Sequence, residues 1–168
     1  MKTTGIIRTA HEADVKLLTA MIRKSHADVA RRFNLTPENC PKHPSNCTTD
    51  WIKSDLARGV RYYLADWQRD AAGCVALEQA NPEMVYLERL SVLPEERRNG
   101  LGRKLVERVL QETAALGVPQ VGIGIIAGFS ELKAWYKILG FREGATRQFE
   151  HLPFKVLLMA YDLTDKQL

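Results

Sequence analysis

The apolar positions of this chain fall into two patterns, short strand-like runs and longer stretches with helical spacing. The clearest helix begins at Leu101, and its apolar face carries Leu101, Leu105, Val106, Val109, Leu110 and Ala114. The clearest strand lies just before it, over residues 85–92, where most side chains are apolar or β-branched. Pro94 ends that strand, because proline has no backbone N–H to donate to a ladder. A strand, a short loop and a long helix therefore follow one another directly.

The rest of the pattern predicts three more helices and six more strands. The helices are predicted over residues 10–31, 50–58 and 131–139. Their expected caps are Thr9 with Glu12, Thr48 or Thr49, and Ser130. The strands are predicted over residues 5–8, 61–67, 73–78, 121–127, 141–150 and 154–163. A polar tail follows over residues 164–168.

Length and composition are those of one globular domain over residues 1–168. The apolar content of 45% and the charged content of 26% are ordinary for such a domain. The net charge of +4 comes from dispersed basic residues, which gives nucleic-acid binding little support. We find no apolar signal core in the first 14 residues and no stretch near the ~20 apolar residues of a spanning helix. The chain has three cysteines, and an odd number without an export signal favours reduced thiols in a cytoplasmic protein. We expect no membrane contact.

Residues 33–48 are predicted to form a loop, because they contain three prolines and several Asn and Ser residues. Cys40, His43 and Cys47 within it have a spacing that suggests a metal site. A structural zinc site needs a fourth ligand, and no second Cys/His pair follows. We therefore expect an ordered loop in which a cysteine packs as a small apolar residue, and no metal.

The loop before the long helix combines glycine with positive charge. Gly100 and Gly102 stand at the helix start, where backbone N–H groups lack intrahelical acceptors and can bind an anion. Arg97, Arg98 and Arg103 add full positive charges beside them. These residues predict a phosphate or pyrophosphate cradle; a solvated charge cluster on a turn is the alternative.

Two motifs resemble those of the GNAT family of N-acetyltransferases. Arg97-x-x-Gly100-x-Gly102, after a strand ending in Val92-x-Pro94, is similar to the family's acyl-CoA pyrophosphate loop. Downstream, LKAWYKILGF places Tyr136 five residues before Phe141, which resembles the family's helix-then-GF motif. The resemblance covers residues 84–142. It implies an α/β acyltransferase fold, with a mixed, largely antiparallel sheet of six or seven strands flanked by about four helices.

The resemblance also implies acetyl-CoA as the acyl donor, and it allows a homodimer. The residues expected to contact this cofactor are Leu90, Ser91, Val92, Arg97, Arg98, Asn99, Gly100, Leu101, Gly102, Arg103 and Ser130. Ser130 is included as a substitute for an asparagine that many family members carry before the tyrosine helix. Gly122 and Gly124 in a predicted strand match the place where the family's pantetheine lies, although they could equally accommodate a packed helix.

Tyr136 is the candidate general acid, in the position that the family's tyrosine occupies. A phenol with a pKa of about 10 is protonated at neutral pH and can donate a proton to a thiolate leaving group. The alternative is a core role, because Tyr136 shares a helical face with Leu132, Trp135 and Leu139.

Glu88 is the candidate for attracting and deprotonating the acceptor amine. By strict alternation it shares a strand face with Tyr86, Leu90 and Val92, where a lone carboxylate is costly and often has a raised pKa. Tyr86-Leu87-Glu88 followed by Val92 is similar to polyamine-type members of the family. The alternative is an ion pair of Glu88 with Arg89, Arg61 or Arg142. By analogy with the family, a bulge near residues 90–92 would free backbone N–H groups for the oxyanion.

The acceptor is predicted to be a small amine or an amino-acid-like metabolite, because the proline-rich segment 37–44 could form a lid over a compact site. In the family the first helix borders this site, so His26, Asp28 and Arg31 could face substrate; solvated helix positions are the alternative. A protein N-terminus or lysine is the rival acceptor. A sensor that binds acyl-CoA without turnover is the rival from a different functional class.

Overall fold

The computed structural model describes residues 5–164 and has the predicted mixed α/β architecture. Its strands are β1 Ile6–Thr9, β2 Arg61–Trp67, β3 Asp70–Asn81, β4 Met84–Val92, β5 Gln120–Ile126, β6 Arg142–Gln148 and β7 Lys155–Asp162. Its α-helices are α1 Val15–Arg32, α2 Thr49–Ala57, α3 Leu101–Ala115 and α4 Ser130–Leu139. The predicted sequence of elements is confirmed.

The strands form one sheet in the order β1-β2-β3-β4-β5-β7-β6. β4 and β5 are parallel, whereas β1 with β2, β2 with β3, β5 with β7, and β6 with β7 are antiparallel.

The contacts between residues divide the chain into two compact units. The first consists of Met1–Glu78, as far as it is described, and Leu87–Val109; the second consists of Gln79–Tyr86 and Leu110–Leu168, again as far as described. The tail predicted over residues 164–168 lies, apart from Thr164, outside the described residues.

The start of α1 differs from the prediction. The α-helix begins at Val15, after a short 3-10 turn at Glu12–Asp14. The predicted capping box of Thr9 and Glu12 is wrong, because Thr9 still pairs with Tyr63 as the last residue of β1. The chain turns two residues later, where the His11 N–H donates to Asp14 Oδ2 at 2.9 Å.

The core of the first unit lies under α1 and α2. Buried side chains of these helices meet the inner positions of β2 and β3, and the cluster contains Ala10, Val15, Leu18, Met21, Ile22, Cys47, Ile52, Val60, Tyr62, Leu64, Cys74 and Ala76. Helix α2 starts as predicted, since the Thr48 hydroxyl accepts the Trp51 N–H at 3.4 Å. This core supports the strand residues that carry the site described below.

The predicted loop is ordered by its own turns. Asn39 ties it internally, because its carboxamide accepts the Thr36 N–H at 2.8 Å and donates to the Asn34 carbonyl at 2.8 Å. Cys40, His43 and Cys47 are all buried, and the cysteines are unpaired thiols that pack as small apolar residues, as expected. Within residues 5–164 no group of three or more His, Cys, Asp or Glu side chains could hold a metal ion.

The second unit is built around β5, β6 and β7. The amino-terminal part of β4 pairs with β5, from Met84 opposite Gln120 to Tyr86 opposite Gly122. The space beside Gly122 and Gly124 is lined by side chains from neighbouring strands. A Cβ on Gly122 would lie 3.0 Å from Met84 Sδ and 3.2 Å from the Tyr86 ring, and one on Gly124 would lie 3.2 Å from Val156.

Helix α3 closes at Gly117, whose φ of +72° only glycine adopts readily. Its buried face carries Leu101, Leu105, Val106 and Val109 as predicted, but Ala114 is exposed and Thr113 is buried instead. Among the described residues no helix is long and apolar enough to cross a membrane.

Candidate active site

The loop from β4 into α3 has the geometry of an open anion cradle. Arg98 and Gly100 both have left-handed backbone, with φ of +71° and +78°, which turns the chain sharply into the helix. The first helical bond runs from the Lys104 N–H to the Gly100 carbonyl at 3.2 Å. The N–H groups of the first turn therefore lack intrahelical acceptors, and a Cβ on Gly100 would meet nothing within 4 Å. This space and these donors fit a phosphate group.

The Arg97 guanidinium is bound to protein atoms. It donates to Asp28 Oδ2 at 2.7 Å, to the Ser25 carbonyl at 2.8 Å and to the Val92 carbonyl at 3.3 Å. The interaction lowers the pKa of Asp28, chiefly through the hydrogen bond from Arg97. Asp28 is therefore engaged in an ion pair with Arg97, and its contact with substrate stays a prediction. A phosphate contact by the Arg97 side chain stays a prediction.

The other polar residues of the loop are more available. Arg98 is exposed and has no hydrogen-bonding or charged partner within residues 5–164. Asn99 donates to Glu96 at 3.3 Å, and Arg103 pairs with Glu107 at 3.2 Å, both on the exposed surface. Exposed pairs of this kind are worth about 0–1 kcal/mol, so an incoming anion could replace them. The cofactor contacts of these residues stay predictions.

The carboxyl end of β4 is irregular at the point where a bulge was expected. Arg89 has left-handed backbone with φ of +53°, which interrupts the pleat before Leu90, Ser91 and Val92. Such an interruption is the disturbance that a bulge produces, and it takes backbone groups out of regular pairing. The alternation of side chains between the two faces of β4 therefore holds only as far as Glu88. The three consecutive residues Glu88, Arg89 and Leu90 are all half-buried.

Buried Ser91 and half-buried His26 form a polar contact beside this irregularity. The Ser91 hydroxyl donates to the Arg89 carbonyl at 2.9 Å, and His26 Nε2 lies 3.1 Å from the same oxygen of Ser91. Burial, followed by the nearby His43, lowers the pKa of His26 to about 4, so its ring is neutral at neutral pH. The interpretation of His26 as a solvated helix residue is wrong, because the ring packs against β4.

Glu88 lies in a network of charges that sequence reasoning only partly identified. Burial, followed by the like charge of Glu78 on β3, raises the pKa of Glu88 to about 7. Arg58 at the end of α2 pairs with Glu78 at 2.5 Å and with Asp55 at 2.7 Å. Glu88 is thus surrounded by charged groups on α2, β3 and β4.

The predicted alternative, an ion pair of Glu88 with a neighbouring arginine, is not found. Arg89 instead pairs with buried Asp55, at 2.5 Å, and donates to the Tyr62 hydroxyl at 2.6 Å. Within residues 5–164 Glu88 has no salt bridge of its own. Sequence reasoning missed Asp55, Arg58 and Glu78 because each is an ordinary charged residue near the end of its own predicted element.

Tyr136 lies in an aromatic cluster of the second unit. Its ring centroid is 5.0 Å from that of Trp135 and 5.2 Å from that of Phe141, in edge-to-face arrangements. Burial raises the pKa of the Tyr136 phenol, so it stays protonated at neutral pH. Its burial agrees with the core role, and its protonation agrees with a general acid; the catalytic role stays a prediction.

The start of α4 departs from the predicted cap. The flanking residue is Phe129, and Ser130 is the first helical residue, whose hydroxyl donates to Glu131 at 3.1 Å. Ser130 as a helix cap is therefore wrong. Its cofactor contact stays a prediction.

Comparisons with known proteins agree with this architecture. The model of the acetyltransferase (GNAT) family matches residues 27–141, which is more than half of the chain. No curated protein matches the sequence. Among solved structures, the ribosomal-protein-S18-alanine N-acetyltransferase from Escherichia coli has 19% identity and a TM-score of 0.75, over 95% of this chain and 94% of that chain.

Two further structures contain the cofactor or its product. The PaiA N-acetyltransferase of Thermoplasma acidophilum, in complex with coenzyme A, has 15% identity and a TM-score of 0.79, over 95% of this chain and 99% of that one. YncA, a putative acetyltransferase from Salmonella typhimurium with acetyl-CoA, has 19% identity and a TM-score of 0.72, over 98% and 96%. At these identities the likeness establishes the fold.

Proposed function

The chain belongs to the acetyltransferase (GNAT) family, and from this premise we propose that it moves an acetyl group from acetyl-CoA to the primary amine of a small metabolite. The amine attacks the thioester directly, with no covalent enzyme intermediate. The observation that carries the amine acceptor is Glu88, a half-buried carboxyl group that forms no salt bridge within residues 5–164 and whose pKa burial raises to about 7. Such a group can attract an ammonium ion and take its proton.

The loop before α3 is proposed to bind the pyrophosphate of acetyl-CoA. The backbone N–H groups of residues 101–103 would contact the phosphates, and Arg98 would add a full charge. Arg97 would act mainly by holding the loop against α1 through Asp28 and Ser25. Since the protein's own side chains hold the loop in this way, the entropic cost of ordering it on binding would be reduced.

The chemical roles follow from what thioester aminolysis needs. Glu88 takes one proton from the acceptor ammonium, and the neutral amine then attacks the carbonyl carbon. Backbone N–H groups at residues 90–92 are proposed to stabilise the oxyanion, and Tyr136 to protonate the departing thiolate. The tyrosinate recovers its proton from the nitrogen of the new amide, so one proton leaves for each acetyl group transferred.

A protein amine is the second candidate acceptor. The Escherichia coli structure of the same fold is that of a ribosomal-protein-S18-alanine N-acetyltransferase. For this chain we propose that the proline-rich loop after α1 limits the site to a small acceptor; its support is that α1, which leads into this loop, contacts β4 through His26 and Ser91. Peptides with free N-termini and lysine peptides belong in the same assay.

The test is coenzyme A release from acetyl-CoA with a panel of amines, amino acids and peptides. We expect turnover with one acceptor class, and Tyr136→Phe should lower kcat by about 10²-fold or more while acetyl-CoA affinity is kept. Tyr161→Phe removes a phenol from the same aromatic cluster and is the matched control. If acetyl-CoA binds but no acceptor raises the rate above hydrolysis, the sensor function is favoured instead.

A further inference from the structure

Arg89 has a backbone conformation that its own residue type disfavours. Its φ of +53° lies in the left-handed region, where a Cβ crowds the backbone and glycine is the residue usually found. Such a conformation persists only where the surrounding structure holds it. Arg89 stands between Glu88 and residues 90–92, so its conformation sets the direction of the backbone on both sides. The contacts that hold Arg89 therefore bear on the proposed chemistry.

The Arg89 side chain is held from α2 and β2. Its Nη1 atom donates to Asp55 Oδ2 at 2.5 Å and to the Tyr62 hydroxyl at 2.6 Å. The Tyr62 hydroxyl in turn donates to Asp55 Oδ2 at 2.5 Å, and burial raises the pKa of Tyr62, so this proton stays in place. The Asp55 side chain is only 7% exposed and that of Arg89 is 21% exposed, so solvent screens this pair much less than a surface pair.

Two further contacts complete the α2 side of this anchor. Arg58 at the end of the helix donates to Asp55 Oδ1 at 2.7 Å, so both carboxylate oxygens of Asp55 are engaged and the orientation of the carboxylate is fixed. The Arg89 guanidinium also lies over the Trp51 ring, with Cζ 5.6 Å from the ring centroid, which is a cation–π contact. The position of the guanidinium is thus determined by several side chains of neighbouring elements.

The carbonyl of Arg89 is held separately. It accepts the Ser91 hydroxyl at 2.9 Å, and this bond uses the single proton of that hydroxyl. His26 Nε2 lies 3.1 Å from the Ser91 oxygen, and it must therefore carry a proton and donate a hydrogen bond there. Arg89 is fixed at its side chain by α2 and β2 and at its carbonyl by its own strand and α1. These contacts offset the strain of its left-handed backbone.

We propose that Asp55 is a positioning residue, which holds the Arg89 guanidinium and so keeps Arg89 in the left-handed conformation that directs the backbone N–H groups of residues 90–92 towards the acetyl carbonyl. This inference rests on the proposed function. In this role Asp55 acts through Arg89 and touches neither the acetyl group nor the amine. Oxyanion donors work only at close and fixed positions, so losing the anchor lowers kcat. Acetyl-CoA affinity, which depends on the loop before α3, is kept.

The anchor is tested without substrate by NMR of the full chain. A residue with positive φ gives a strong nuclear Overhauser effect between its own amide proton and Hα, because these two protons lie close together in that conformation. We expect this signal at Arg89 in the wild type. Asp55→Asn should weaken it, because the amide replaces one acceptor oxygen by a donor that cannot bind a guanidinium. An unchanged signal in a folded Asp55→Asn protein would overturn the anchor.

Two references accompany this measurement. Asn34, with φ of +54° in a separate loop, is the internal reference, and its signal should be the same in every variant. Asp66→Asn removes the carboxylate of another arginine pair in the same unit and is the matched control. This control should leave both the Arg89 signal and kcat unchanged. A weakened Arg89 signal in Asp66→Asn would contradict the specific role of Asp55.

Two substitutions at position 89 test the backbone directly and decide the question if Asp55→Asn does not fold. Arg89→Ala and Arg89→Gly both remove the guanidinium, but only glycine adopts a φ of +53° without strain. We expect Arg89→Ala to weaken the NMR signal of residue 89 and to lower kcat by about tenfold or more, while acetyl-CoA affinity is kept. Arg89→Gly should keep clearly more of the wild-type kcat. Equal values of kcat in the two variants, or an unweakened signal in Arg89→Ala, would overturn the inference.

The link from Asp55 to the reaction is tested by combining the substitutions, with the acceptor found in the assay. Asp55→Asn alone should lower kcat by about tenfold. In the Arg89→Gly background it should have little further effect, because no guanidinium remains to be held and glycine needs no anchor. Full additivity of the two losses would overturn positioning through Arg89. The NMR signal is measured on the protein alone, so failure of the anchor is distinguished from failure of the proposed acetyl transfer.

Discussion

Arg97 and Arg98 are neighbours in sequence but lie in different environments. Arg97 is extended at the end of a short turn and its guanidinium is held by Asp28, whereas Arg98 has left-handed backbone and an exposed side chain. The difference comes from backbone conformation, which directs consecutive side chains to different surroundings. The two residues should therefore contribute differently to cofactor binding.

We expect Arg98→Ala to weaken acetyl-CoA binding by about tenfold, the effect of one charged hydrogen bond to phosphate, without changing the unfolding free energy. Arg97→Ala and Asp28→Ala should weaken acetyl-CoA binding by removing the same interaction, so the double variant should bind no more weakly than either single variant. The losses of binding free energy caused by Arg98→Ala and Asp28→Ala should add. Titration calorimetry and urea unfolding measure these quantities, and Arg147→Ala, an exposed arginine of β6, is the control. Additivity between Arg97 and Asp28 would contradict the positioning role.

At the scale of elements, the carboxyl end of β4 depends on a close approach to β3. A Cβ on Gly73 would lie 2.7 Å from the Ser91 carbonyl oxygen and 3.2 Å from Leu105 Cδ1. The Leu105 side chain could move slightly, but the carbonyl belongs to a strand that is also held by the Leu93 N–H donating to the Ala72 carbonyl at 2.8 Å. Gly73 is therefore required by packing, since its side-chain space is filled by β4.

Gly73→Ala should destabilise the protein by about 2 kcal/mol, because the backbone of β4 has to shift. The same shift would displace residues 90–92, so kcat should fall together with stability. Gly122→Ala is the comparison, because the atoms nearest its Cβ would belong to the side chains of Met84 and Tyr86. Urea unfolding of both variants should give a clearly smaller loss for Gly122→Ala. Equal losses of unfolding free energy in the two variants would contradict the view that a backbone contact is more costly to displace than a side-chain contact.

At the scale of the whole molecule, two half-buried groups give opposite contributions to the pH dependence of stability. The pKa of His26 falls from 6.5 to about 4, so its contribution is present above pH 6.5 and is lost as the pH falls through 4. The pKa of Glu88 rises from 4.5 to about 7, so its contribution is present below pH 4.5 and is lost as the pH rises through 7. The two effects largely cancel over the range they share.

Single substitutions should reveal each contribution. Relative to the wild type, His26→Gln should become more stable as the pH falls from 6.5 to 4, and Glu88→Gln should become more stable as the pH rises from 4.5 to 7. Each change should amount to at most about 3 kcal/mol, and less for Glu88 because it is partly exposed. Urea unfolding over this pH range measures both. Parallel stability curves for the wild type and either variant would refute the corresponding shift.

The amino-acid sequence predicted the elements closely where local signals were strong. The boundaries of β2 and the start of α3 matched. The signals failed where two elements compete for the same residues. Thr9 pairs within the sheet as the last residue of β1 and therefore does not cap a helix. Ser130 is the first residue of α4 instead of its cap.

The candidate site was predicted only in part. Arg98 and Gly100 stand in one local segment with a recognisable spacing, so the cofactor loop could be found from the sequence. The effect of Asp55 on Glu88 and the partner of Arg97 could not, because Asp55 and Asp28 are distant in sequence and carry no local signal. Their positions depend on how α2 packs on the sheet and how α1 passes the loop.

The sequence by itself determined the order of helices and strands, the family and the glycine-rich loop, because periodicity, capping and motif spacing act over short stretches of chain. The tertiary structure decided which charges meet, and with them the protonation of Glu88 and His26. Burial and charge pairing depend on distances between residues far apart in the chain, and only the packed fold sets those distances. The proposed base is therefore a property of the fold rather than of Glu88 alone.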